Sequence, residues 1–325
     1  MNLKTLVHIK KSHFEINYQS NILSLGSCFS HEIAKKLFDL KYNVVQNPCG
    51  ITFNPISILS CIKTCKSKDS LLESSLKNVG ELYAHPDFHG SFNDLSPSKT
   101  LIKINRSINS AKPALKTIDT VLITLGTSWV YKSLKTGDVV NNCHKQPAKL
   151  FERSMLNCKQ VFNALNEIKL EIEESSDKDV NFIMTLSPIR HIKDGLIDNQ
   201  KSKATALVAI HDFVEKHDNV HYFPSYEILL DELRDYRYYK DDMIHPTPLA
   251  INYIYQLFEK HYLKSEDAAL REKISKINLG LQHRPIHPDS KQHIAFKMQL
   301  LENITQLEKE NSGINFDKEK NLLSK

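Results

Sequence analysis

The chain has 325 residues, 41% of them hydrophobic and 25% charged, which suits one large domain or a domain with an appendage and excludes wholesale disorder. The 43 basic and 38 acidic residues leave a net charge of +5 with the signs mixed along the chain, and no basic stripe interleaved with aromatics stands out, so no nucleic-acid partner is expected. No run approaches the ~18 apolar residues of a membrane span, and Met1–Tyr18 carries Lys4, Lys10, Lys11 and Glu15 with no apolar signal core.

The first strand signal is Asn21–Leu25. It runs into Gly26-Ser27-Cys28-Phe29-Ser30, a tight turn that opens a helix over His31–Leu40, with Ile33, Ala34, Leu37 and Phe38 at helical spacing. A Ser at such a turn is exposed at the carboxyl end of a strand. It also lies beside the free N–H groups of a helix start, which favour an anion. That is a good place for a nucleophile whose reaction passes through an oxyanion, although a Gly-Ser pair there also serves as a plain turn and cap. A second strand, Tyr42–Gln46, leads into Asn47-Pro48-Cys49-Gly50, where Gly50 permits close backbone approach to a ligand. A helix follows over Ile56–Lys66.

Residues 71–115 are less regular and read as an insertion over the sheet edge. His85, Asp87 and His89 alternate there, but no fourth ligand follows, so they read as loop polar groups, with His89 also able to reach the Ser27 pocket. The third and fourth strands, Asp119–Leu125 and Val180–Leu186, are near-continuous apolar runs, as expected of strands buried on both faces of a parallel sheet. Between them the pattern predicts a helix over Phe151–Glu174. Further helices are predicted over Lys203–Lys216 and Tyr226–Asp235, and a fifth strand over Val220–Phe223.

Strands alternating with helices predict a three-layer α/β/α fold around a five-stranded, mostly parallel, doubly wound sheet. After the fourth strand come Arg190 and His191. Arg190 is read either as a holder of a substrate carboxylate or phosphate or as a buried Arg paired with a structural carboxylate, and His191 as polar lining.

Near the end of the sheet domain stands Asp242-Met243-Ile244-His245-Pro246-Thr247-Pro248. Thr247 is the expected N-cap and Pro248 the first helical residue. Asp-x-x-His in such a turn lets the carboxylate hold one ring nitrogen while the other faces a nucleophile. The chain order Ser…Asp…His then puts all three at the carboxyl ends of strands, where ligands bind in such sheets. Cys28 beside Ser27 is a rival nucleophile, since a thiolate is intrinsically more reactive than a hydroxyl.

Gly26-Ser27-Cys28-Phe29-Ser30 resembles the hallmark of the GSCFA-domain family, with Ser30 where the family's name has Ala. That family is similar to the SGNH (GDSL-type) hydrolases, whose fold is flavodoxin-like. The resemblance implies Ser27 as nucleophile, His245 as general base and Asp242 as the orienting carboxylate. It also implies the backbone N–H groups of Ser27 and Gly50 as oxyanion donors. The Gly-x-Asn that the superfamily places after the third strand is missing: Leu125-Gly126-Thr127-Ser128 stands there, so Thr127 is the expected substitute donor, with Asn142 the other candidate.

The implied activity is a serine esterase acting on an O-acyl ester of a small molecule or carbohydrate. An acyltransferase using the same residues and a catalytically inactive binding module are the alternatives. No cofactor is expected. Six Cys at 28, 49, 61, 65, 143 and 158 form no Cys-x-x-Cys pair, so no zinc or disulfide framework is expected, and free thiols place the protein in the cytoplasm. The expected organisation is a hydrolase domain over 1–262 and a helical C-terminal extension over 263–325.

Overall fold

The computed structural model describes residues 4–324, apart from the side chain of residue 194. Its centre is one sheet of five strands: β1 (Asn21–Gly26), β2 (Asn43–Gln46), β3 (Thr120–Leu125), β4 (Asn181–Leu186) and β5 (Val220–Tyr222). Each lies within a residue of the run that predicted it. The order across the sheet is β2-β1-β3-β4-β5, and every pairing is parallel. This is the doubly wound order in which the chain reverses direction between β1 and β3, so a crevice opens outside their carboxyl ends. Register aligns Gly26 with Thr124, and Thr124 with Thr185.

Side-chain alternation along the strands divides the core in two. Leu23, Leu25, Val121, Ile123, Phe182 and Met184 point to one layer, where α2 (Pro55–Lys66), α3 (Pro97–Leu115), α4 (Cys158–Glu173) and α5 (Gly195–Lys216) cover the sheet. Ile22, Leu122 and Ile183 point to the other, under α1 (Cys28–Asp39) and α6 (Pro248–Tyr262). The C-terminal helices α7 (Ala268–Gln282), α8 (Lys291–Glu310) and α9 (Asp317–Leu323) follow, and Ile274, Ile304, Leu307 and Phe316 are buried in that same second layer. Among the described residues, no helix is long and apolar enough to cross a membrane.

Helix starts follow local chemistry. The Asn54 side chain accepts from the Ser57 N–H at 2.9 Å, with Pro55 at the first helical position of α2. Thr247 caps α6 with Pro248 first, as the sequence predicts.

Three segments differ from expectation. Residues 151–155 form a strand, not the start of a helix, because Phe151–Met155 pairs antiparallel with Trp129–Ser133. The helix begins only after a capping box between Asn157 and Gln160. Within 71–115 lie a hairpin (Lys77–Val79 with Leu82–Ala84) and the whole of α3, whose Ile104, Ile108, Ala111 and Leu115 pack on the core. The predicted helix over 226–235 is a three-residue turn, Ser225–Glu227, running into a π-helical turn at Ile228–Glu232.

Candidate active site

The turn after β1 is forced by Gly26. Its φ of +126° suits glycine, and a Cβ there would sit 2.1 Å from the Thr124 carbonyl oxygen of the neighbouring strand. Ser27 is therefore fixed where β1 ends, as the N-cap of α1, and is 2% exposed. Its Oγ is buried and makes no hydrogen bond. An orphaned buried hydroxyl is costly and calls for an explanation. The neighbouring Cys28 lines the cleft outside the sheet edge, and burial pushes its thiol up from its ordinary value.

On the opposite wall the loop before α6 closes on itself. Asp242 Oδ1 accepts the N–H groups of Ile244 (2.8 Å) and His245 (2.9 Å), and its Oδ2 lies 2.7 Å from His245 Nδ1. These bonds, led by the His245 backbone N–H, hold the Asp242 carboxyl well below the usual carboxylate range. The carboxylate stays ionised and fixes the imidazole through Nδ1, leaving Nε2 for another partner. His245 lines the same cleft as Cys28.

That cleft has a volume of about 650 Å³. It gathers His89, Thr127, Asn142, Arg190, His191 and His245 from five separate segments of the chain. Ser27, Gly50 and Asp242 lie outside its lining. The structure thus brings Asp242 and His245 into direct contact, and it makes no hydrogen bond between either of them and Ser27.

Three of the expected oxyanion donors, Ser27, Gly50 and Thr127, are engaged elsewhere. The Ser27 N–H donates to Thr124 O at 3.2 Å and the Gly50 N–H to Asn47 O at 2.7 Å. Thr127 Oγ1 accepts the Trp129 N–H at 3.0 Å and bonds the Ser202 hydroxyl at 2.9 Å, because the turn after β3 is stitched to α5. Asn142 uses its Oδ1 to accept the His144 N–H at 2.8 Å.

Asn47, which sequence reasoning passed over, presents a buried donor without an acceptor. Its Oδ1 accepts the Gly26 N–H at 2.8 Å, while its Nδ2 is buried and unbonded. It takes a left-handed φ of +41° directly after β2. The signal available in the sequence was an Asn, able to adopt that conformation, opening Asn-Pro-Cys-Gly.

His89 and Gly50 fix the neighbouring wall. A Cβ on Gly50, whose φ is +79°, would meet His89 Cβ at 2.4 Å, so the His89 loop packs directly on the backbone there. His191 sits edge-on to Phe53, and burial, with Lys203 nearby, holds its pKa down to about 4, so it is neutral at physiological pH. Arg190 forms no ion pair with a carboxylate among the described residues. Its guanidinium lies over Tyr239, 3.9 Å from the ring centroid.

Away from the cleft, Cys49, Cys61 and Cys65 place their sulfurs within 4.8 Å of one another inside the core. Spacing concealed this, since Cys49 arrives from the loop after β2. Three buried thiols are a donor set for a soft metal ion. Among the described residues no other His, Cys, Asp or Glu group of three or more is close enough to hold one.

The family model of the GSCFA family matches residues 21–258, and that of the GSCFA domain protein, C-terminal domain, matches residues 274–325. The chain belongs to the GSCFA family. No curated protein and no solved structure matches it significantly. The Gly26–Phe29 turn and the Asp242–His245 loop both fall inside the GSCFA family match.

Proposed function

We propose that this GSCFA protein is a serine hydrolase of O-acyl esters, including acetylated carbohydrates, built on an SGNH-like scaffold. The observation that carries the reading is the Asp242–His245 pair, 2.7 Å apart and opening on a cleft beside an orphaned serine hydroxyl at a helix N-terminus. Ser27 Oγ turns toward the cleft and attacks the ester carbonyl carbon while His245 Nε2 takes its proton. The negative charge that develops on the carbonyl oxygen is met by the start of α1 and by Asn47 Nδ2. The C–O bond to the alcohol then breaks, and the leaving oxygen receives the proton from His245. Water, deprotonated by the same nitrogen, releases the acyl group. An alcohol in place of water would make the same residues an acyltransferase. The six free cysteines suit a reducing compartment such as the cytoplasm.

A binding module is the second reading. It is favoured by one observation: the Ser27 and Gly50 N–H groups both donate within the protein.

The test is labelling by a fluorophosphonate probe, with acetyl-ester turnover measured alongside. Wild type and Cys28→Ala should label and turn over. Ser27→Ala should lose the label and about 10³-fold or more of turnover. A folded wild type that resists the probe, with turnover unchanged in Ser27→Ala, would leave the binding module.

A further inference from the structure

The described residues that line the cleft carry full charges of one sign only, unlike the chain as a whole. Over the whole sequence basic and acidic residues stand at 43 to 38. Among the described residues lining the cleft there are four cations, Lys145, Arg153, Arg190 and Lys193, and no Asp or Glu. The usual fate of such a cation is a salt bridge, yet Lys145, Arg190 and Lys193 form none among the described residues.

Arg190 is the best placed of them. Its backbone N–H bonds Ile244 O at 3.3 Å, which ties it to the residue before His245. Its guanidinium is stacked on Tyr239, and Nε is buried with no hydrogen-bond partner. Stacking orients the plane without using its N–H donors, which leaves the fork free to take two oxygens at once. Lys145 and Lys193 are exposed and add positive potential from the rim, where a concave, low-dielectric wall concentrates it. Trp129 and Tyr131 line the same cleft, and the Arg153 guanidinium lies over the Trp129 ring, 3.7 Å from its centroid.

We propose that the cleft takes an anionic substrate, with a carboxylate or phosphate on the acyl ester held by Arg190 and drawn in by Lys145 and Lys193. This rests on the esterase reading for the reaction, but the anion subsite stands or falls on its own binding measurement.

Two experiments separate the claims. The first compares three acetyl esters of phenols that lack or carry a para anion: phenyl acetate, para-acetoxybenzoate and para-acetoxyphenyl phosphate. The anionic pair should show KM values about 10-fold or more below that of phenyl acetate, and the gap should shrink as salt is added. In Arg190→Met the ratio of KM values should fall toward one. The double variant Lys145→Gln/Lys193→Gln, changed only at exposed positions, should lose part of it. The second uses the chain's single tryptophan, Trp129, which lines the cleft. In Ser27→Ala, phenyl phosphate and para-hydroxybenzoate should change its fluorescence at concentrations where phenol does not.

Hydrolysis of all three esters with equal KM, or no fluorescence difference between the anions and phenol, overturns the subsite. Anion-selective fluorescence with no ester hydrolysed supports the subsite and overturns the esterase. The stronger of the two anions, carboxylate or phosphate, identifies the group on the substrate.

Discussion

Asn47 shows how one side chain can do two jobs at this site. Its carbonyl oxygen holds the Gly26 N–H and so steadies the turn that presents Ser27, while its amide nitrogen is buried without an acceptor. A buried N–H₂ that bonds nothing loses its hydration and gains nothing in return, unless an oxygen arrives during the reaction. The substitution Asn47→Asp separates the two roles, since it keeps the acceptor and removes the donor. We expect kcat for an acetyl ester to fall about 10²- to 10³-fold, the usual cost of losing one oxyanion donor. KM should change little, while the melting temperature should fall, because a carboxylate replaces a buried amide. A kcat that is unaffected would assign the amide a purely structural role. Ser27 and Asp242/His245 could be read in advance because each belongs to a short motif. Asn47 acts through a bond to a residue 21 positions away, and no local pattern announces that.

Between elements, α5 is fastened to the end of β4 by a buried lysine. Lys203 is 1% exposed, and its Nζ donates to Ser187 O at 2.6 Å, in the segment that goes on to Arg190 and His191. Burial pushes its pKa down to about 7. Below that pH the folded and unfolded chains both carry the proton, and the full cost of burying the charge is present. From about pH 7 to the unfolded value of 10.5 only the unfolded chain holds it, so stability rises with pH. The slope from this one group is at most about 1.4 kcal/mol per pH unit. Urea unfolding of wild type at a series of pH values in that window should show the rise, and Lys203→Met should flatten it. The variant also leaves Ser187 O without its donor, a loss of about 1–3 kcal/mol that does not vary with pH. Equal slopes in the two proteins would refute the assignment. At this scale the sequence was uneven as a guide. The five strands were readable because apolar runs bounded by turns leave little choice. Helix α3 was missed because its start, Ser96-Pro97, sits in a polar stretch and its apolar stripe is narrow. The Phe151–Met155 strand was taken for helix because its partner, Trp129–Ser133, is far enough away in sequence to leave no trace in the local period.

Over the whole molecule, two family models divide the chain at about residue 260–270, yet the core does not divide there. Ile304, Leu307 and Phe316, from the C-terminal match, are buried in one cluster with Ile33 and Leu37 of α1 and Ile254 and Phe258 of α6. A polar contact also joins the two matches: Asn278 Nδ2 donates to Asp39 O at 2.7 Å. Phe316 is fully buried, with Lys41 Nζ 4.6 Å from its ring centroid, and Lys41 also pairs with Glu319 at 2.8 Å. A shared apolar core couples the stability of its parts, so α1, which presents Ser27, should melt together with the C-terminal helices. Phe316→Ala removes a large ring from that core at a cost of about 3–5 kcal/mol. Calorimetry should then show one transition moved down as a whole, with Ser27 labelling and C-terminal protease cleavage appearing or vanishing at the same temperature. If the main transition stays in place while a separate, smaller one moves, the C-terminal match is an independent module and the site owes it nothing.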